Sequence, residues 1–171
     1  TQELSNLNGT LRFQGKQVTS DLKGEMEEGI FHLKGNATWD TTSLQTVDLT
    51  LKGEHLSLFQ PGVFHTDFDC NLQLTGKMPN PKLAGNIDII AGRYFKKFEI
   101  RNLIIRPVAE EAGTQRTNPW GGTQLQLVVK NPGSFEIKNN IATIVLESNL
   151  RVTGTADHPD VWRPRRDELL L

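Results

Sequence analysis

The chain has 171 residues, of which 36% are hydrophobic, and its formal net charge is −1 at pH 7. This length suits one domain with a substantial core, and the balanced charge argues against a nucleic-acid partner, which favours a basic excess. A single cysteine, Cys70, excludes an internal disulfide and a cysteine-based metal cluster. No apolar run approaches the roughly 20 residues that a membrane helix needs, and no signal-peptide pattern follows Thr1. We therefore expect a soluble chain or a soluble part of something larger.

The first third of the chain alternates between apolar and polar residues with a period of two. This alternation, which is typical of half-buried antiparallel strands, covers residues 11–13, 18–26, 31–39 and 47–51. Gly15-Lys16 and Glu27-Glu28-Gly29 separate the first runs and predict tight turns. The pattern breaks between residues 55 and 66, where we expect a short helical turn around residues 56–59 and then a loop at Pro61-Gly62.

The alternation resumes at residues 68–75 and 83–89. Ala91-Gly92 is predicted to turn the chain into a long apolar strand that continues to Arg106. Residues 107–122 are predicted to form a mobile loop. The alternation restarts at residues 125–129, and the chain is predicted to turn at Asn131-Pro132-Gly133. The last strand, over residues 142–152, is expected to be the longest. No stretch has the 3.6-residue period of a helix, so the sequence predicts an all-β domain.

A six-residue motif occurs twice in the chain. Asn71-Leu72-Gln73-Leu74-Thr75-Gly76 is followed by Pro81, and Asn149-Leu150-Arg151-Val152-Thr153-Gly154 is followed by Pro159, with every matched residue 78 positions further on. Internal repetition of this kind indicates stacked supersecondary units. Each unit is a strand that alternates and ends at a glycine.

No catalytic or metal site emerges from the sequence. His55, His65, Asp67, Asp69 and Cys70 lie close together, but no pair has a recognised zinc spacing, and Cys70 falls on the apolar side of its strand. We find no nucleophile elbow, no catalytic carboxylate pair and no phosphate-binding loop. The sequence therefore predicts a protein that is not an enzyme and that uses no metal and no cofactor.

The repeated motif, with its flanking prolines, Gly85 and Ala91-Gly92, resembles the C-terminal region of the TamB family, which belongs to the wider AsmA-like family of bridge proteins. The similar pattern covers residues 7–161. In the second copy Arg163 stands where the first has Gly85, so the repeat stops there. The resemblance implies a segment of a large protein that is anchored in the bacterial inner membrane and crosses the periplasm as an elongated β-structure. It also implies phospholipid movement towards the outer membrane, and support of outer-membrane protein assembly with an outer-membrane barrel partner of the TamA type.

We therefore predict an elongated, mainly antiparallel sheet of about ten strands, curled into an open trough with an apolar interior. It is expected to be one segment over residues 1–171, with repeat units at about 67–92 and 141–161 and a mobile loop at about 107–122. Held open, such a face can line a groove for phospholipid or another apolar ligand, at about 0.8 kcal/mol per buried CH₂. The predicted groove residues are Leu11, Phe13, Val18, Leu22, Phe31, Leu33, Val47, Leu49, Leu51, Phe68, Leu72, Leu74, Leu83, Ile87, Ile89, Leu125, Leu127, Val129, Ile144, Leu146, Leu150 and Val152.

Two other functions fit the same pattern. Open edge strands could accept a strand from a client, which would make the chain a scaffold or chaperone for outer-membrane β-barrel proteins without lipid transport. Alternatively, two layers could close on each other as a β-sandwich, which would serve as a structural spacer or adhesin module.

Overall fold

The computed structural model describes residues 4–41, 43–95, 120–138, 140 and 143–162. They form nine strands, namely β1 (Leu4–Gln14), β2 (Gln17–Met26), β3 (Gly29–Asp40), β4 (Ser43–Gln60), β5 (Phe64–Lys77), β6 (Lys82–Tyr94), β7 (Gln124–Lys138), β8 (Thr143–Gly154) and β9 (Pro159–Trp162). No described residue is helical, which confirms the all-β prediction. The predicted strand from Tyr94 to Arg106 and the predicted loop at 107–122 lie almost entirely outside the described residues.

The nine strands form one sheet in chain order, from β1 to β9. Seven neighbouring pairs are antiparallel, and only β6 and β7 are parallel. Parallel neighbours need a connection that returns the chain to the same end of the sheet, and residues 95–123 make it. Because β1 and β9 do not pair with each other, the sheet stays open, and the prediction of an open trough is confirmed. The described residues contain no second sheet with which a sandwich could close.

The short hairpin turns lie where the sequence predicts them. The chain turns at Gly15-Lys16, at Glu27-Glu28 and at Pro61-Gly62. The helical turn expected at residues 56–59 is wrong, because β4 continues as a strand to Gln60. The break in alternation is a register shift between Gly53 and Leu56 in the pairing of β4 with β5. The backbone of His55 there has a positive φ of 54°, the left-handed conformation that one class of β-bulge uses.

Two further predicted turns are bulges within continuous strands. β6 passes through Ala91-Gly92 to Tyr94, and its pairing shifts at this point by one extra residue, Ile90. β7 passes through Asn131-Pro132-Gly133 in the same way, with a register shift opposite β8. Glycine and proline interrupt a ladder locally, but the strand resumes pairing beyond them. The strand predicted over residues 142–152 is not the longest, since it corresponds to β8, which has 12 residues, whereas β4 has 18.

At three glycines a side chain would point into the backbone of the neighbouring strand. Gly9, Gly35 and Gly85 have φ values of 147°, 146° and 139°, a region that is essentially restricted to glycine. A Cβ at each would overlap the backbone of the paired strand, and at Gly85 it would lie 2.9 Å from the Cα of Leu72. Glycine kinks of this kind curve a sheet, so these positions favour the curled form of the trough.

Candidate apolar groove

The strand register brings all the predicted groove residues to one side of the sheet, which we call the groove face. Side chains alternate between the two faces of a strand, so residues that pair across strands share a face. One row crosses almost the whole sheet through Leu22, Leu33, Leu51, Leu72, Gly85, Leu127, Val152 and Val161. The row beside it contains Leu49, Leu74, Leu83 and Leu125. Apolar side chains are therefore continuous from β2 to β8.

The opposite side of the sheet, which we call the polar face, holds the charge. By the same register, every Lys, Arg, Asp and Glu of the nine described strands lies on it. Some of these groups pair across strands, as Arg93 does with Glu136 at 2.9 Å and His32 with Asp21 at 2.7 Å. The hydrogen bond from His32 lowers the pKa of Asp21 below its usual value, and this effect exceeds the opposing effect of partial burial.

The groove face is covered only in part. Among the described apolar residues, only Ala37, Val47, Leu56 and Cys70 are fully buried, apart from Pro81 at the start of β6. The leucines of the central rows are half-buried, and towards the two ends of the sheet Phe13 is 64% exposed and Ile144 is 48% exposed. A soluble protein normally covers an apolar surface of this extent. No described element lies over this one.

Large side chains lie flat across glycines on the groove face. A Cβ on Gly24 would meet the Phe31 ring at 2.8 Å, and Gly92 likewise lies against the ring of Phe135. Gly53 lies under the side chain of Leu56. The glycines thus make room for rings and branched side chains close to the sheet.

Several groove-face residues lie outside the predicted set. Leu56 and Phe135 follow bulges, and in the sequence each comes after a predicted break in the strand, where the parity of the pattern is lost. The register shows that each continues the groove face, because Leu56 pairs with Phe68 and Phe135 with Leu146. The signal was present in the pairs Leu56/Leu58 and Phe135/Ile137, which resume alternation after each bulge.

Cys70 lies in the middle of the groove face, between Gly53 and Ile87 of the adjacent strands. It is 5% exposed, and burial raises the pKa of its thiol. Within the described ranges, no group of three or more His, Cys, Asp or Glu side chains is placed to hold a metal ion. The nearby histidines instead pair with single carboxylates, His65 with Asp67 at 3.2 Å and His55 with Asp69 at 3.9 Å.

Comparison with protein families agrees with this architecture. The family model of the TamB C-terminal domain matches residues 19–162, which include all or most of every described strand except β1. The chain belongs to the TamB C-terminal domain family. TamB proteins are bacterial envelope proteins that span the periplasm and act in the translocation and assembly module with outer-membrane assembly partners, and theirs is not an enzyme family. No curated protein and no solved structure matches this TamB chain.

None of the described residues of this TamB domain belongs to a helix that is long and apolar enough to cross a membrane.

Proposed function

We propose that the groove face of this TamB domain holds the acyl chains of phospholipid as they move towards the outer membrane. The single observation that supports it is a one-layer sheet whose broad apolar face is half-exposed and free of charged side chains throughout the described strands. An acyl chain can cover that surface, whereas a charged head group finds no ionic partner there. The head group would therefore stay at the rim or in water.

Acyl-chain burial supplies the favourable free energy of binding in this proposal. About ten buried methylenes contribute roughly 8 kcal/mol at about 0.8 kcal/mol each. This gross value corresponds to a micromolar dissociation constant, before the cost of immobilising the lipid is subtracted. A ligand held this weakly can leave again, which suits a conduit better than a storage site. Transfer along such a face needs no catalytic group.

The setting of this activity is also a proposal. We infer that the domain works in the periplasm, within a parent protein anchored in the inner membrane, and that this parent acts with an outer-membrane barrel of the TamA type. Membership of the TamB family supports this setting. The groove would then supply an apolar path across an aqueous compartment.

The experiment places a charge on one face or the other. In Leu74→Asp and Leu127→Asp, a carboxylate enters the groove face, and we expect the purified protein to lose copurifying lipid, measured by mass spectrometry. The matched controls are Gln73→Asp and Gln126→Asp, which place the same carboxylate one residue away on the polar face, where both glutamines are exposed. Circular dichroism establishes that each variant is folded. Equal lipid content in all four folded variants would contradict the proposal.

A second candidate function is supported by the exposed edges of the sheet. Every residue of β1 is exposed over 11 residues, and β9 covers only Arg151 to Gly154 of β8. Along Thr143 to Leu150, the edge of β8 that faces away from β7 has no described strand beside it. Long exposed edges of this kind accept strands from other chains, so a client of the outer-membrane β-barrel class could pair there. A photo-crosslinker at Thr10 on the β1 edge would then capture unfolded outer-membrane protein, and one at Thr50 in the centre of the sheet would not.

A further inference from the structure

Three hairpins are joined side by side at one end of the sheet. We call this end the hairpin rim, and it comprises the paired ends of β1 to β6 and their turns, namely residues 11–20, 37–41, 43–46 and 74–85. Backbone hydrogen bonds link each hairpin to the next, from Trp39 N to Lys16 O at 2.9 Å and from Met78 N to Gln45 O at 2.9 Å. The side chains of the three hairpins are therefore presented together.

An exposed aromatic pair lies on the hairpin rim, at the corner of the groove face. Phe13 is 64% exposed and Trp39 is 38% exposed, and their ring centroids lie 6.1 Å apart. Phe13 pairs with Val18, and Trp39 follows Ala37 by two positions on the groove side of β3. A tryptophan ring combines a broad apolar surface with a polar N–H, and such rings are enriched where a membrane meets water. The groove face thus reaches the rim at an aromatic corner.

The charged side chains of the hairpin rim are mostly cations. They are four cations and one carboxylate, namely Arg12, Lys16, Lys77, Lys82 and Asp40. Lys16 forms an ion pair with Asp40, so these two charges compensate each other. The other three cations are exposed, and within the described part of the chain no carboxylate lies within ion-pair distance of them. The rim therefore carries an excess of positive charge beside its aromatic corner.

We propose that the hairpin rim contacts the surface of a bilayer that contains anionic phospholipid. Phe13 and Trp39 would enter the interfacial layer, and Arg12 and Lys77 would lie at the level of the phosphate groups. Each lysine or arginine close to an anionic bilayer is attracted to it, and an exposed aromatic ring gains free energy by leaving water at the same depth. The role of this contact as the entrance to the groove rests on the proposed function, whereas the contact itself does not.

The placement of these groups favours a bilayer over a protein partner. Arg12 pairs with Thr19 and Lys77 with Thr46, so both cations lie on the polar face, whereas the aromatic pair lies on the groove face. A protein that packs against one face of the sheet contacts one of these two sets. A bilayer that meets the turns end-on surrounds the aromatic rings with head groups, so it contacts both sets at once.

The first test uses the full chain with a single tryptophan. Trp120→Phe/Trp162→Phe retains Trp39, and Trp39→Phe/Trp120→Phe retains Trp162, which is the matched control because it is 40% exposed and lies on the polar face opposite Arg151. Each chain is mixed with vesicles of phosphatidylethanolamine and phosphatidylglycerol in equal parts, with brominated acyl chains. We expect at least a twofold loss of Trp39 fluorescence, co-sedimentation of both chains with the vesicles, and no quenching of Trp162.

The second test changes the charge of the rim. Arg12→Glu/Lys77→Glu should co-sediment with the same vesicles at least tenfold more weakly, and the unchanged chain should bind pure phosphatidylcholine vesicles at least tenfold more weakly. Lys23→Glu/Lys52→Glu makes the same change in net charge at exposed lysines in the middle of the polar face, and it should lose less than twofold. Circular dichroism establishes that each variant is folded.

The outcomes separate this proposal from the proposed function. Equal quenching of the two tryptophans, or equal losses in the two charge variants, would overturn the contact with the bilayer. Quenching of Trp39 in a chain that stays in the supernatant would also overturn it, because the quencher would then be single lipids held in the groove. Arg12 and Lys77 lie outside the groove, so Arg12→Glu/Lys77→Glu should retain copurifying lipid, and Leu74→Asp should lose copurifying lipid but still co-sediment with vesicles. Either proposal can therefore fail without the other.

Discussion

The backbone of β5 beside Gly85 leaves no room for a Cβ, which leads to a quantitative prediction for Gly85→Ala. Its φ of 139° is a conformation that other residues adopt only at a cost of about 1–3 kcal/mol. The new Cβ would also lie 2.9 Å from the Cα of Leu72 and would overlap the Asn71 carbonyl oxygen. Both obstacles are backbone, so the strands must separate, at a further cost of about 1–3 kcal/mol. We expect a total loss of about 3 kcal/mol of unfolding free energy, or about 6–12 °C in Tm.

The assay is urea unfolding followed by tryptophan fluorescence, with Gly62→Ala as the control. Gly62 also has a positive φ, 71°, but a Cβ there meets nothing within 4 Å, so only the conformational cost of about 1–2 kcal/mol applies. Gly35→Ala should resemble Gly85→Ala, because its Cβ would lie 2.8 Å from the Cα of Leu49. If Gly85→Ala and Gly62→Ala lose the same stability, overlap of a Cβ with the neighbouring strand is not the reason for glycine at position 85.

Three further predictions concern single side chains. Leu56→Ala should lose about 2–4 kcal/mol of unfolding free energy in urea, because the side chain is 4% exposed. Leu58 is 38% exposed, so Leu58→Ala should lose less than about 1 kcal/mol. Equal losses in the two variants would refute the burial argument. Burial raises the pKa of Cys70, so alkylation by iodoacetamide should be at least about tenfold slower in the folded chain than in urea, and stability should fall as the pH rises through the folded thiol's pKa. The pKa of Asp21 is lowered in the folded chain, so its ionised carboxylate stabilises the fold at pH values above the ordinary carboxyl pKa. This stabilisation is lost as the pH falls through the pKa of Asp21 in the folded chain. His32→Ala should remove most of this pH dependence, measured by urea unfolding at a series of pH values.

The alternation of apolar and polar residues was enough to predict the groove face. All residues from Leu11 to Val152 that were assigned to it share one side of the sheet. The pleat fixes the side-chain period at two, and the hydrophobic pattern together with the turns sets the register. Hairpin turns such as Gly15-Lys16 were equally accessible, since glycine at a positive φ is a local requirement. These features depend on neighbouring residues alone.

Features that depend on distant pairing could not be predicted. Ala91-Gly92 and Asn131-Pro132-Gly133 have the composition of turns, but the strands beyond them find partners again and the irregularity becomes a bulge. The sequence around His55 does not indicate its positive φ. The bulge there arises from the register of β4 against β5, which depends on residues far apart in the chain. The parallel pairing of β6 with β7 joins residues about 40 positions apart in the chain, and no local pattern indicates it.

The most direct test of the groove is to ask which face of one strand touches lipid in the cell. A photo-crosslinking amino acid at Leu72 lies on the groove face in the centre of the sheet, and the same amino acid at Gln73 lies on the polar face. After irradiation of cells, intact-mass spectrometry of the purified protein should show a phospholipid adduct at position 72 and none at position 73. Absence of a lipid adduct at position 72, or equal adducts at both positions, would contradict the account.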